Sequence, residues 1–404
     1  MNEADKGPSC LNDPYFLDLI AFYINHPIAL YTGAGVSCSD DRKFGVGPWN
    51  KFVRKILFAD KNIDLETRKD FNRSLLKWED EPWEMAEWVA NRIGKESFKH
   101  NAAALIQRQR NFQKEYKLLS GQFLKKAGTL NATVAFCADF AGGKISKGGN
   151  GQWSAVYQRS INHRVHAVVT SNYDPYLEAA SSTMFRKPIL KPVAARGSSA
   201  GNLMEIPVFH IHGYVEFPDK HWKQEITERK PFVEPVITTS DYRSAWKSRS
   251  AYNPTMGPQI HILRHYAVLF IGFSFRDWKV NGLLKKLNKE REERKDKDRL
   301  YHYAIMKADK IDATGREYLK NELGVKPISV DRFSEIKNLL SHLYQQGLMH
   351  DHHGSRKIGL PPYEGRSQNA QDKPICLTPE EYFEELYHCR LSMVHKEKSY
   401  IYPG

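Results

Sequence analysis

Apolar positions along this chain fall into two kinds of pattern. Short continuous or alternating runs occupy residues 28–32, 167–170, 206–212, 236–238, 267–272, 303–306 and 327–330. Runs of this length and density suit strands buried on both faces of a parallel sheet. Between them, apolar residues recur at helical spacing: Phe16, Leu19, Ile20 and Tyr23; Phe52, Val53, Ile56 and Leu57; Val280, Leu283, Leu284 and Leu287; Ile336, Leu339, Leu340 and Leu343. Strands alternating with helices predict an α/β fold with a Rossmann-like parallel sheet.

Residues 60–160 carry little strand signal. Trp83, Ala86, Ala90 and Ile93 read as one helix, and Leu118, Leu119, Phe123 and Leu124 as another. Gly142, Gly143 and the glycine-rich 148–151 read as a flexible loop. This stretch is expected to be a helical insertion between the first and second sheet strands. The sheet domain should span 14–346, leaving 347–404 as a C-terminal arm. Residues 350–373 look like an irregular linker, where His350, His352 and His353 form either a metal site or a mobile loop. A capping box, Thr378-Pro379-Glu380-Glu381, then opens a last helix bearing Tyr382, Phe383, Leu386 and Tyr387.

Composition narrows the class. The 404 residues are 41% hydrophobic and 26% charged, as in ordinary globular chains. No apolar run approaches the roughly 20 residues that span a bilayer, and Met1 to Lys6 lack signal-peptide character. A cytoplasmic protein without a membrane segment is expected. Cys10, Cys38, Cys137, Cys376 and Cys389 form no C-x-x-C pair, which predicts reduced thiols and no cysteine zinc site. The net charge of +13 permits attraction to nucleic acid. No nucleic-acid motif accompanies it, so a solvated basic surface is the plainer reading.

Candidate chemistry gathers where strands should end. Gly33-Ala34-Gly35-Val36-Ser37 follows the first strand as a turn that could cradle a phosphate or simply tighten a strand-to-helix connection. Thr170-Ser171-Asn172-Tyr173-Asp174 places an amide and a carboxylate at another strand end, either to orient a sugar or carboxamide or to cap the next helix. In Phe209-His210-Ile211-His212-Gly213, strand alternation would put both histidines on one face, as a zinc pair or with one acting as a general base. Gly272-Phe273-Ser274-Phe275-Arg276-Asp277 repeats the glycine turn before a helix. It is a second phosphate or ribose site, or a plain helix start with Asp277 favouring the dipole.

In this order the stretches resemble the sirtuin-like (Sir2-like) domain, over roughly residues 14–346. Gly33 to Ser37 with Gly47-Pro48-Trp49 looks like the family's first motif, Asn172-Tyr173-Asp174 its Asn-x-Asp motif, His212-Gly213 its catalytic histidine and glycine, and Gly272-Phe273-Ser274 its adenosine-side turn. The His-x-His-Gly form, with Asp241 to Trp246 and Gly-Phe-Ser-Phe-Arg-Asp, is similar to the bacterial antiphage branch. The four-cysteine zinc module of the deacetylating sirtuins is missing, and Ser171 stands where they carry Gln.

The resemblance implies an NAD hydrolase that depletes the infected cell, with NAD as substrate and no zinc. Within it, Asn172 would position ribose and water, His212 would be the general base, and Asp174 would bind the carboxamide or hold its loop. Gly33, Ala34, Gly35 and Ser37 would take the pyrophosphate. Gly272, Ser274 and Asp277 would lie near the adenosine. Control is expected from self-assembly, from the helical insertion, or from a partner, for which the resemblance suggests a HerA-like hexameric ATPase that could also bring in nucleic acid. The competing readings are an NAD-dependent deacylase or ADP-ribosyltransferase, and a non-catalytic NAD- or nucleic-acid-binding subunit.

Overall fold

A computed structural model of the chain describes residues 9–37, 49–75, 82–107, 128–138, 143–147, 153–157, 165–185, 190–192, 206–213, 236–247, 256–294 and 300–357. Asp13 opens α1 (Pro14–Tyr23): its carboxylate accepts from the Tyr15 and Phe16 amides, and proline fills the first turn, where no amide hydrogen is needed. β1 (Ile28–Thr32) follows, buried at every residue. Then come α2 (Ala34–Ser37), α3 (Trp49–Ala59), α4 (Leu65–Ser74), α5 (Pro82–Ile93), α6 (Lys95–Gln107) and α7 (Gly128–Ala138). An antiparallel hairpin, β2 (Gly143–Lys147) and β3 (Trp153–Tyr157), leads to β4 (Val165–Thr170) and α8 (Tyr176–Phe185).

The remainder is β5 (Leu190–Pro192), β6 (Ile206–His210), α9 (Thr239–Lys247), α10 (Met256–His265), β7 (Ala267–Ile271) and α11 (Trp278–Glu293), then β8 (His302–Lys307), α12 (Ala313–Asn321), β9 (Val325–Val330) and α13 (Glu335–Lys357). Seven of the strands form one sheet in the order β5-β6-β4-β1-β7-β8-β9, and every neighbouring pair is parallel. On one side of β1 the chain adds β4, then β5 at the far edge and β6 between them; it then returns to add β7, β8 and β9 in turn on the other side. That reversal makes the crevice beyond the ends of β4, β1 and β7 the natural ligand site of such a sheet.

Strand alternation divides the core. Ile28, Leu30, Leu269 and Ile271 face α1, α7, α8 and α13, while Ala29, Tyr31, Val268 and Phe270 face α10, α11 and α12. In β4, Val165 and Val168 share a face although three apart, and the β1–β4 register shifts at the same place, as a bulge requires. A third core gathers α3, α4, α5 and α6 around Phe52, Ile56, Phe71, Val89 and Phe98, and it takes in Tyr173 and Ile237. The helical layer therefore docks on the strand-end loops themselves.

Several expectations need correction. Residues 236–238 form no strand. The Val236 amide donates to the His212 carbonyl at 2.7 Å, and Asp241 Oδ2 accepts from the Ile237 and Thr238 amides, so this piece is a capped lead into α9. The insertion is not purely helical, since it ends in the β2–β3 hairpin, and α7 leaves it to pack in the sheet core. β5 has no apolar run to betray it; among the described residues it pairs with β6 alone, at the sheet edge, where Pro192 is tolerated. α13 passes the expected boundary near Gly347 and continues through His350, His352 and His353 to Lys357. Residues 118–124, Gly47, Pro48, Cys38, Cys376, Cys389 and the helix expected over 378–387 fall outside the described residues. Among the described residues no helix is long and apolar enough to cross a membrane.

Candidate functional site

Two glycine turns meet at the centre of the sheet. Gly33 donates to the Ile271 carbonyl and Gly35 to the Gly272 carbonyl, each at 3.0 Å. A Cβ on Gly33 would lie 2.5 Å from Gly272 O, and one on Gly272 would lie 2.5 Å from Val36 N. Gly272 also needs a left-handed backbone, with φ +65. These glycines are required for one turn to seat in the other. That revises the expected pyrophosphate cradle, because the amides of Gly33 and Gly35 already have protein partners. Ala34 and Ser274 are exposed on the two turns, and Ser37 closes α2.

The loop after β4 folds down onto the first turn. Ser171 donates its amide to the Thr32 carbonyl at 3.0 Å, and the Asn172 side-chain amide donates to the Gly33 carbonyl at 3.2 Å. Asp174 is 6% exposed, and its Oδ1 accepts from the Tyr176 amide at 3.3 Å, at the start of α8. Asp174 thus holds its loop to the next helix. Tyr173 donates its hydroxyl to the Val236 carbonyl at 2.8 Å, tying this loop to the lead into α9.

The two histidines do not act as a same-face pair. β6 stops at His210, and a turn carries the chain through Ile211 to Gly213, whose φ is +95. His210 donates from Nδ1 to the Asn172 carbonyl at 2.9 Å, and its Nε2 lies 2.7 Å from Glu178 Oε1 on α8. Burial pulls the His210 pKa down. The charge and hydrogen bond of Glu178, the Asn172 carbonyl and Asp174 outweigh burial and hold it above the ordinary histidine value.

His212 has a different set of partners. Its Nε2 lies 2.8 Å from the Tyr242 hydroxyl and 3.2 Å from Asp277 Oδ2, and the same hydroxyl donates to Asp277 Oδ2 at 3.2 Å. Burial first, and then the Asp277 charge, hold the Tyr242 phenol far above its usual pKa, so it keeps its proton. With that proton directed to Asp277, the hydrogen on His212 belongs on Nε2, facing the tyrosine and carboxylate oxygens. His212 Nδ1 is then the bare nitrogen, and it is buried with no hydrogen-bond partner among the described residues.

Asp277 serves twice. Its Oδ1 caps α11 by accepting from the Lys279 and Val280 amides, at 3.0 and 3.2 Å. Its Oδ2 belongs to the His212 cluster, so this residue sits with the candidate base. Helical-layer groups close over the cluster: the Trp83 ring stands edge-on to Tyr242 at 5.1 Å, and Glu87 accepts from the Ser240 amide at 3.0 Å. Tyr242, Glu178 and Trp83 had not been singled out as site residues from sequence. Tyr242 lies in the Asp241–Trp246 stretch that carries part of the resemblance, but the contact of its hydroxyl with His212 is created by the fold. Among the described residues, no group of three or more His, Cys, Asp or Glu could hold a metal ion.

Residues 166–328 match the SIR2-like domain family. The match runs from β4 to β9 and includes Asn172, Asp174, His212, Tyr242, Gly272, Ser274 and Asp277, while β1, the Gly33 turn and the helical layer precede it. A search of curated proteins found no match. The match over residues 166–328, set within an all-parallel α/β sheet, supports a Sir2-like fold for that region and suggests NAD-related activity in general terms.

Proposed function

We propose that this protein cleaves the bond between nicotinamide and ribose in NAD, releasing nicotinamide and ADP-ribose. The observation that carries this reading is the buried Nδ1 of His212, without a partner among the described residues, beside an Nε2 fixed by Tyr242 and Asp277. An imidazole so held, with Nδ1 bare, is placed to accept a proton from a substrate hydroxyl or water.

In the reaction the C–N bond breaks and nicotinamide leaves as a neutral molecule with the bonding electron pair. Positive charge develops on the ribose carbon, as in other glycosidic cleavages. Water adds to that carbon, and His212 Nδ1 takes up the proton that the water loses. Asn172 stands at the neighbouring strand end, braced on the Gly33 carbonyl, as the residue to orient ribose and water. Ala34 and Ser274, exposed on the interlocked turns, are placed to meet the rest of the dinucleotide. Depletion of cellular NAD in antiphage defence, gated by self-assembly and a HerA-like hexameric ATPase, is the setting this activity would suit.

Nicotinamide release by the purified protein tests the reading, with and without acetylated peptide and with the partner ATPase added. Peptide-independent release that falls about 10²–10⁴-fold in folded His212→Ala supports hydrolysis. Release only with peptide, or none under any of these conditions, overturns it.

A further inference from the structure

We propose that His210 and Glu178 are positioning residues for Asn172, a buried pair that fixes the height of the Asn172 peptide in the site. The inference rests on the NAD-cleavage reading for its kinetic readout, though its structural content does not need it.

Three elements meet at this pair. Glu178 projects from α8, His210 ends β6, and the Asn172 carbonyl belongs to the loop after β4. All three residues are nearly closed to solvent, at 6%, 7% and 6% exposure. A carbonyl can only accept, so His210 Nδ1 carries a hydrogen, and Glu178 gives Nε2 a reason to carry one too. The result is a charged imidazolium held between a carboxylate and a backbone oxygen. Such a contact fixes the Asn172 main chain, and the Asn172 side chain in turn reaches the Gly33 carbonyl at 3.2 Å. His210 therefore does not compete with His212 for the chemistry. It sets where the neighbouring asparagine stands.

A buried ion pair is poor evidence of stability, since desolvation offsets most of its attraction. A geometric role accounts better for a charge placed behind a strand-end asparagine. Misplacement of a reacting or orienting group by about 1 Å can cost about 10²-fold in rate.

Three variants decide the matter: His210→Ala, Glu178→Gln, and the double variant His210→Asn with Glu178→Gln. The double variant keeps a donor towards the Asn172 carbonyl and buries no charge. The readouts are kcat and KM for nicotinamide release, the melting temperature, and amide hydrogen exchange across residues 171–174. For folded His210→Ala we expect kcat to drop about 10²-fold with KM within about threefold of wild type, and faster exchange in that segment. Glu178→Gln and the double variant should recover most of kcat and the protection. A folded His210→Ala with wild-type kcat and unchanged exchange overturns the proposal. If His210→Ala does not fold, the double variant decides: protection across 171–174 with kcat near wild type supports positioning, and loss of either overturns it. If the wild-type protein releases no nicotinamide, the NAD reading is what has failed, and hydrogen exchange alone judges the pair.

Discussion

Asp277 reaches His212 with one carboxylate oxygen while capping a helix with the other: Oδ2 lies 3.2 Å from His212 Nε2, and Oδ1 accepts from the Lys279 and Val280 amides. A residue at a helix start is thereby locked in orientation before it meets the histidine. The two tasks can be separated. Asparagine caps helices about as well as aspartate, so Asp277→Asn should leave stability nearly unchanged. Its amide would present hydrogens to an Nε2 that already carries one, which favours the wrong tautomer. The expected outcome is a loss of at least about 10²-fold in kcat with little change in melting temperature. Wild-type kcat in this variant would remove Asp277 from the mechanism.

Tyr242→Phe removes the hydroxyl that bridges His212 and Asp277. The histidine keeps Asp277 as a neighbour, so the effect should be milder, about tenfold in kcat, with about 1–3 kcal/mol lost from a buried polar group left short of a partner. Steady-state kinetics with a denaturant titration reads both. A kcat loss as deep as that of His212→Ala would show that the phenol does more than orient the ring.

Gly272→Ala and Gly94→Ala form an informative pair. Both positions have positive φ, at +65 and +86. At Gly94 a Cβ meets nothing within 4 Å, whereas at Gly272 it would sit 2.5 Å from Val36 N. Gly94→Ala should therefore show backbone strain alone, about 1–3 kcal/mol, with normal activity. Gly272→Ala should lose more stability and also substrate affinity, because the two turns are forced apart. Equal effects in thermal melts and substrate titrations would refute the interlock.

Stability should depend on pH through His302. The Val268 amide lies 3.2 Å from its Nδ1 and the Arg291 guanidinium 3.3 Å from its Nε2. Burial, and then the Arg291 charge, hold its pKa well below the usual histidine value. The unfolded chain gains a proton there that the native chain refuses. Stability should fall as pH drops below about 6.5, by up to about 1.4 kcal/mol per pH unit from this group. His210, with its raised pKa, acts in the opposite sense: its contribution is full below about 6.5 and fades as pH climbs through the folded value. Denaturant melts of wild type and His302→Gln below about pH 6.5 test this. Parallel slopes in the two proteins would count against it.

The parts of this fold legible in the sequence are those whose signal is local. β1 and β7 are apolar runs closed by glycine, and the strand-end motifs at Gly33, Asn172, His212 and Gly272 follow directly from their strands. β5 was hidden because a short edge strand needs no apolar run, and the β2–β3 hairpin because its glycines read as a loop. The partner of His212 was hidden for another reason. Asp277 advertises a helix cap, which is true, and nothing near it reveals the second oxygen's use. Tyr242 follows a predicted strand that is a turn instead, and only the folded chain brings its hydroxyl to the histidine.

The central place of β1 has a practical consequence. It pairs with β4 on one side and β7 on the other, yet it precedes the region that matches the SIR2-like family. A fragment trimmed to residues 166–328 would carry a sheet split down its middle, with two naked edges where the strand had been. Exposed apolar edges of that kind recruit other chains, so the fragment should come out of expression as aggregate rather than as a smaller working unit. Adding back a peptide covering 14–37 during refolding should raise the soluble yield; a fragment that is monomeric and cooperatively folded without it would show that the gap can close.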